Sequence, residues 1–195
     1  MLINIKKLSE TNMSKNLYAS YKPFSMVDGE GFRSVLFVSG CVFNCKGCYN
    51  KSIQDFGNGI VYDNIIEDKI IEDLRHEKVQ GLTLLGGEPM LNTEVCLSIC
   101  NRVREEFGDT KDIWCWTGYT WEELQESISC NTVNSKKQLE LLKMIDILID
   151  GRFEQDKIDT TGKLRFRGSS NQKVVDVKQS LLYNSKVEAN ENYEE

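Results

Sequence analysis

Cys41, Cys45 and Cys48 stand in the run CVFNCKGC (41–48), a C-x3-C-x2-C array. Three thiolates within so few residues can wrap one metal centre, and thiolates select zinc or iron–sulfur clusters. A structural zinc site is closed by a fourth ligand, and none is obvious here. The single histidine, His76, lies in the charged stretch LRHEKV (74–79) and reads as a solvated surface residue. Cys96 and Cys100 fall beside the apolar stripe of a predicted helix and Cys115 inside a predicted strand, where inert, buried cysteines are common. Zinc nevertheless stays open as one reading. The other is a 4Fe-4S cluster held at three irons, with one iron lacking a protein ligand and so available for chemistry. A second feature is Gly86-Gly87-Glu88-Pro89. Two glycines let backbone approach a ligand closely, Glu88 adds a carboxylate and Pro89 stiffens the exit.

These residues need a scaffold, and its elements alternate. Residues 33–38 (RSVLFV), 82–85 (LTLL), 113–116, 145–149 and 173–177 (KVVDV) carry β-branched and aromatic residues bounded by glycine or polar residues, which predicts strands. Between them Ile66, Ile70 and Leu74, then Val95, Ile99, Val103 and Phe107, recur at helical spacing. Thr120 and Glu123 stand three apart, as in a capping box, and a polar helix is expected from about residue 135. The pattern predicts an α/β fold with a mostly parallel sheet or an open barrel; the expectation is an incomplete (β/α) barrel with about five to six parallel strands, since the chain has room for about five β/α units and not the eight of a closed barrel. In such folds the loops at the carboxyl ends of strands converge on the ligand site. Gly40-Cys41, Gly86-Gly87-Glu88, Thr117-Gly118-Tyr119, Asp150-Gly151 and the stretch around Gly168 would then line one mouth.

The chain has 195 residues, 24 Lys+Arg against 30 Asp+Glu, and a formal net charge of −6. That is one ordinary soluble domain. No basic stripe offers a nucleic-acid footprint, no apolar run approaches membrane-spanning length, and MLINIKKLSE lacks a signal-peptide core. The expectation is a cytoplasmic protein, in which clustered thiols read as metal ligands before disulfides. Residues 1–20 are taken as an N-terminal extension, 21–184 as a single domain, and 185–195, ending EANENYEE, as an acidic disordered tail.

C-x3-C-x2-C directly after a first strand resembles the signature of the radical S-adenosylmethionine (SAM) superfamily. The resemblance implies a barrel of the radical SAM type, with the amino and carboxylate groups of SAM on the open iron. An electron passed to the sulfonium then gives methionine and a 5′-deoxyadenosyl radical. Gly86, Gly87, Glu88 and Pro89 match the superfamily's GGEP motif, with Glu88 placed to neutralise the methionine ammonium. The usual aromatic between the second and third cysteines is replaced by Gly47, so the adenine contact falls to Tyr49 or to the main chain of Gly47, beside Cys48.

The segments SGCVFNCKGCYNKS (39–52), DIWCWTGYTWEEL (112–124), IDILIDGRF (145–153) and FRGSSNQKVVD (166–176) together resemble the activating component of the anaerobic, class III ribonucleotide reductase. The likeness runs from about residue 21 to 176; where that family commonly has a DGPG-like segment, this chain has Asp28-Gly29-Glu30-Gly31. It implies formation of a glycyl radical on the reductase large subunit, with an external one-electron donor such as flavodoxin. Trp116, Thr117, Gly118 and Asp150 join the implied SAM contacts. Arg167, Ser169, Asn171 and Gln172 are implied contacts to SAM or the partner. Trp116 and Tyr119 also read as core and rim aromatics, and Asp150 with Arg167 as a structural ion pair. The rival readings are an activase of another glycyl-radical enzyme, a small-molecule radical SAM enzyme, and a non-enzymatic zinc or electron-carrier module.

Overall fold

The computed structural model describes residues 14–189 and 193. Seven strands form one mixed sheet: β1 (Leu17–Ser25), β2 (Phe32–Val38), β3 (Ile60–Val61), β4 (Val79–Gly86), β5 (Asp112–Trp116), β6 (Ile147–Asp150) and β7 (Lys173–Asp176), in the order β3-β1-β2-β4-β5-β6-β7. The helices are α1 (Asn64–Leu74), α2 (Thr93–Phe107), α3 (Trp121–Ser129), α4 (Val133–Met144) and α5 (Val177–Tyr183).

Period-two alternation makes the two faces of the sheet different. One continuous row crosses it from Tyr21 through Leu36, Leu84, Cys115 and Leu148 to Val175. The last five of these are fully buried and belong to the larger core. Every helical residue in the core packs on that face. Each fully buried Leu, Ile or Val there stabilises the fold by about 1.5–3 kcal/mol. On the opposite face Trp114, Ile149 and Val174 form a smaller cluster with Trp116, Phe166 and Tyr193. Arg33 is buried beside it, its guanidinium 5.2 Å from the Trp114 ring and Nη1 2.7 Å from Asp112 Oδ1.

Local signals start the helices where the chemistry requires. The Asp63 carboxylate accepts from the amides of Ile65 and Ile66 at the head of α1, and Thr120 and Glu123 form the expected reciprocal capping box of α3. A second box, Thr132 with Ser135, starts α4 at Val133, two residues before the expected position.

Three expectations are corrected. Among the described residues only β2, β4, β5 and β6 run parallel, four strands and not five to six, in a sheet that is open, as expected. β7 pairs antiparallel with β6, because the connection between them holds only a 3-10 turn, Gln155–Lys157, and no crossover helix. β1 runs through the boundary placed at residue 20 and pairs antiparallel with β2 and β3; residues 1–13 of that segment lie outside the described residues. Finally, 185–189 is not free chain. Val187 O accepts from Asp176 N at 3.0 Å, Ala189 N donates to Val174 O at 2.8 Å, and Tyr193 packs 5.4 Å from Trp114. The open edge of β7 needs those partners. The rest of the expected tail, 190–192 and 194–195, lies outside the described residues.

Candidate functional site

The carboxyl ends of β2, β4, β5 and β6 place four loops around one mouth. The first begins where β2 stops. Gly40 takes φ 89° with its Cα against the Phe56 ring, so close that a Cβ would lie 2.2 Å from Cδ1. Gly40 N donates to Ile53 O at 2.8 Å and Cys41 N to Gln54 O at 2.9 Å, closing a loop that carries all three motif cysteines. Within it Asn44 and Gly47 are left-handed, φ 48° and 72°, and Cys48 N donates to Cys45 O at 3.2 Å. Cys41, Cys45 and Cys48 all line a single cavity of about 130 Å³. A second cavity of about 510 Å³ shares Cys48, Asn50, Leu85, Trp116 and Phe153 with it, so the two adjoin.

The GGEP segment stitches the second loop to the first. Gly87 N donates to Val38 O at 2.8 Å and Glu88 N to Gly40 O at 2.7 Å. A Cβ on Gly87 would sit 2.3 Å from the Gly40 carbonyl oxygen, so only glycine permits the approach. Asn50 Nδ2 adds a further stitch, donating to Gly86 O at 3.1 Å. Glu88 is 1% exposed. Its Oε1 accepts from Met90 N at 2.9 Å and Thr117 Oγ1 at 2.7 Å, and its Oε2 from Gly118 N at 2.7 Å. Burial pushes its carboxyl up to about 7, against the pull of those three donors.

Burial likewise raises the thiols, Cys41 to about 12 with the Glu88 charge adding to it, and Cys45 with its neighbour Cys48. A metal centre reverses that balance, since a coordinating thiol is deprotonated. The donor set fits a three-thiolate cluster. A structural zinc site is closed by a fourth ligand, and the loop 40–54 supplies no further Cys or His. Nor does the cavity lining offer a ready fourth ligand. His76 is exposed and stacks edge-on with Phe24 at 5.7 Å, away from the mouth. Cys96, Cys100 and Cys115 are fully buried in the core, and Glu88, the one carboxylate that the described residues place on the smaller cavity's wall, has three of its about four lone-pair sites filled by donors.

Of the residues expected to meet SAM, Gly86, Gly87, Glu88, Thr117 and Gly118 line the smaller cavity, Tyr49 the larger, and Cys48 and Trp116 both. Tyr49 is 83% exposed at the rim, its ring 5.8 Å from that of Phe153. Trp116 Nε1 donates to Phe166 O at 3.0 Å. Gly47 and Pro89 do not line either cavity; Gly47 faces the Gln155 side chain, and Pro89 opens the buried turn Pro89–Leu91.

Asp150 also stands back from both cavities. It accepts from Trp121 N at 2.8 Å at the head of α3 and pairs with Lys186 at 3.1 Å, so its ionic partner is Lys186. In the 167–172 segment Arg167 lines the larger cavity and Gln172 the smaller. The other polar groups are used within the loop: Ser169 Oγ accepts from Glu154 N, Asn171 Nδ2 donates to Arg152 O, and Gln172 joins Gly168 N to Gly151 O. Phe43, Asn50 and Phe153 line the site and escaped the sequence reading. The first two sit inside the cysteine loop, which was the signal available.

The family model described as a 4Fe-4S single cluster domain matches residues 27–175. The chain is 45% identical over 159 residues to the anaerobic ribonucleoside-triphosphate reductase-activating protein of Haemophilus influenzae, covering 80% of this chain and 94% of that one. The protein of the same name from Pasteurella multocida is 46% identical over the same shares. That of Escherichia coli K12 is 41% identical over 161 residues, 80% and 96% of the two chains. Among the described residues no helix is long and apolar enough to cross a membrane. With three thiols, a glycine-stitched mouth and these likenesses over most of its length, the chain belongs to the family of anaerobic ribonucleoside-triphosphate reductase-activating proteins, built on a 4Fe-4S single cluster domain.

Proposed function

We propose that the protein is a radical SAM activase that generates a glycyl radical on anaerobic ribonucleotide reductase. The observation that carries this reading is the gathering of Cys41, Cys45, Cys48, Gly87, Glu88 and Gly118 around one cavity. Cys41, Cys45 and Cys48 would hold a 4Fe-4S cluster. When bound, the cluster supplies one electron, taken from an external donor such as flavodoxin, that splits SAM into methionine and a 5′-deoxyadenosyl radical able to take hydrogen from a glycine Cα.

The chain's own residues hold, orient and shield. Gly86 and Gly87 bring backbone to the cavity wall without side chains in the way. Glu88 presents a desolvated carboxylate whose raised pKa would fall on meeting an ammonium, since an opposite charge favours the ionised form. Tyr49 and Phe153 offer flat apolar surface at the rim for an adenine ring. The open sheet leaves the larger cavity accessible to an extended segment of the reductase.

The test incubates anaerobically reconstituted protein with SAM, reductant and the reductase large subunit, and reads electron paramagnetic resonance. A glycyl radical on the reductase together with 5′-deoxyadenosine is the expected result. 5′-Deoxyadenosine without the radical would reject the partner and keep SAM cleavage. One zinc per chain, without sulfide or SAM cleavage, would reject the enzyme.

A further inference from the structure

Arg152 lies two residues beyond the end of β6, and three structures hold it in place. Its guanidinium lies over the face of Phe43, Cζ 4.5 Å from the ring centroid. Nη1 stands 2.9 and 2.8 Å from the two carboxylate oxygens of Glu123. Its carbonyl oxygen accepts from Asn171 Nδ2 at 2.8 Å.

Phe43 makes this more than a surface contact, because it lies between Cys41 and Cys45 in the cysteine loop. Its ring meets Tyr119 edge-on at 4.9 Å and presses on Gly118, where a Cβ would lie 2.3 Å from ring Cδ2. The cysteine loop is therefore clamped between the loop after β5 and the guanidinium from the loop after β6. The guanidinium thus lies against the ring of the residue two positions from both Cys41 and Cys45, which brings its positive charge to the cysteine loop.

We propose that Arg152 is a positioning and charge-tuning residue for the 4Fe-4S cluster, fixing the cysteine loop through Phe43 and favouring the reduced cluster by its charge, which Glu123 partly offsets. This rests on the cluster reading above. One-electron reduction adds a negative charge to the cluster, and net charge and surroundings set cluster potentials. A held guanidinium therefore stabilises the reduced form more than the oxidised one. Arg is suited to this because it stacks on an aromatic face while staying charged.

The test is a redox titration with dithionite, followed by electron paramagnetic resonance, on anaerobically reconstituted wild type, Arg152→Gln, Arg152→Lys and Glu123→Gln, with iron and sulfide measured per chain. Arg152→Gln is expected to lower the equilibrium constant for reduction about three- to tenfold, tenfold being 59 mV for one electron. Arg152→Lys, which keeps the charge, stays within about threefold of wild type by the same conversion. Glu123→Gln preserves the capping box and shifts the potential the opposite way, upward. A purely structural role would not give opposite signs at the two positions. Unchanged potentials, shifts of the same sign, or a lysine variant as low as the glutamine one would overturn the proposal. Should Arg152→Gln fail to hold its cluster, the sign of the Glu123→Gln shift decides. Wild type that takes up no iron and sulfide would instead reject the cluster reading itself.

Discussion

Glu88 offers a test whose size and sign follow from its surroundings. Its carboxyl is fully desolvated and pushed up to about 7 from an ordinary value of 4.5. The folded state thus holds an extra proton across that interval, while the unfolded chain releases it near the ordinary value. Stability conferred at low pH is therefore lost as pH rises between about 4.5 and 7. At 1.36 kcal/mol per unit, the loss between about pH 5 and about pH 8 is about 2.5 kcal/mol. Glu88→Gln removes the titration. It also sets an amide against one of the three donors that Met90, Thr117 and Gly118 present, a penalty of about 1–3 kcal/mol that does not depend on pH. Urea denaturation of cluster-free wild type and variant at both pH values gives the comparison, and the double difference cancels the other titrating groups. Wild type should lose about 2.5 kcal/mol more than the variant on going to the higher pH. A double difference near zero, or of opposite sign, would refute the placement of an ionisable carboxyl in a dry site.

Other outcomes follow from the same geometry. Gly87→Ala forces a Cβ to 2.3 Å from Gly40 O and should cost about 2–5 kcal/mol through the two broken stitches, with reduced iron uptake; Gly57→Ala, facing only flexible side-chain ends, should stay within about 0.5 kcal/mol in the same urea titration. Arg33→Ala leaves Asp112 without its 2.7 Å partner and removes the guanidinium under Trp114, an expected loss of about 3–5 kcal/mol by chemical denaturation. Cys48→Ala should abolish iron and sulfide uptake, whereas Cys96→Ala, a substitution of a fully buried core residue that does not line the cavity, should keep both while lowering the thermal midpoint.

The parts of this molecule legible in sequence are those whose signal is local. The capping box at Thr120, the stripes of α1 and α2, and the cysteine spacing were all readable because each rests on neighbours within a few residues. Strand direction was not, because whether β7 runs parallel or antiparallel depends on a missing crossover helix in 151–172 and not on the composition of KVVDV. β1 was overlooked because its sequence, LYASYKPFS, includes Pro23 and lies on the side of the sheet away from the β/α repeats. The carboxyl-terminal segment was misread for a different reason: its charge count hid Val187, Ala189 and Tyr193, which satisfy β7 and cover Trp114. At the site, residue types pointed to the cysteines and the glycines that make room. They did not show that Asp150 and most of the 167–172 polar groups are occupied by internal partners, nor that Arg152 reaches Phe43, since such pairings are set only by the folded loops.

The measurement that bears most directly on the central claim is the electron paramagnetic resonance of the anaerobically reconstituted, dithionite-reduced protein with and without SAM, alongside iron and sulfide analysis. About four irons and four sulfides per chain are expected, dependent on Cys41, Cys45 and Cys48, with a reduced-cluster spectrum that changes when SAM is added. A cluster whose spectrum ignores SAM, or a single zinc ion without sulfide, would contradict the claim.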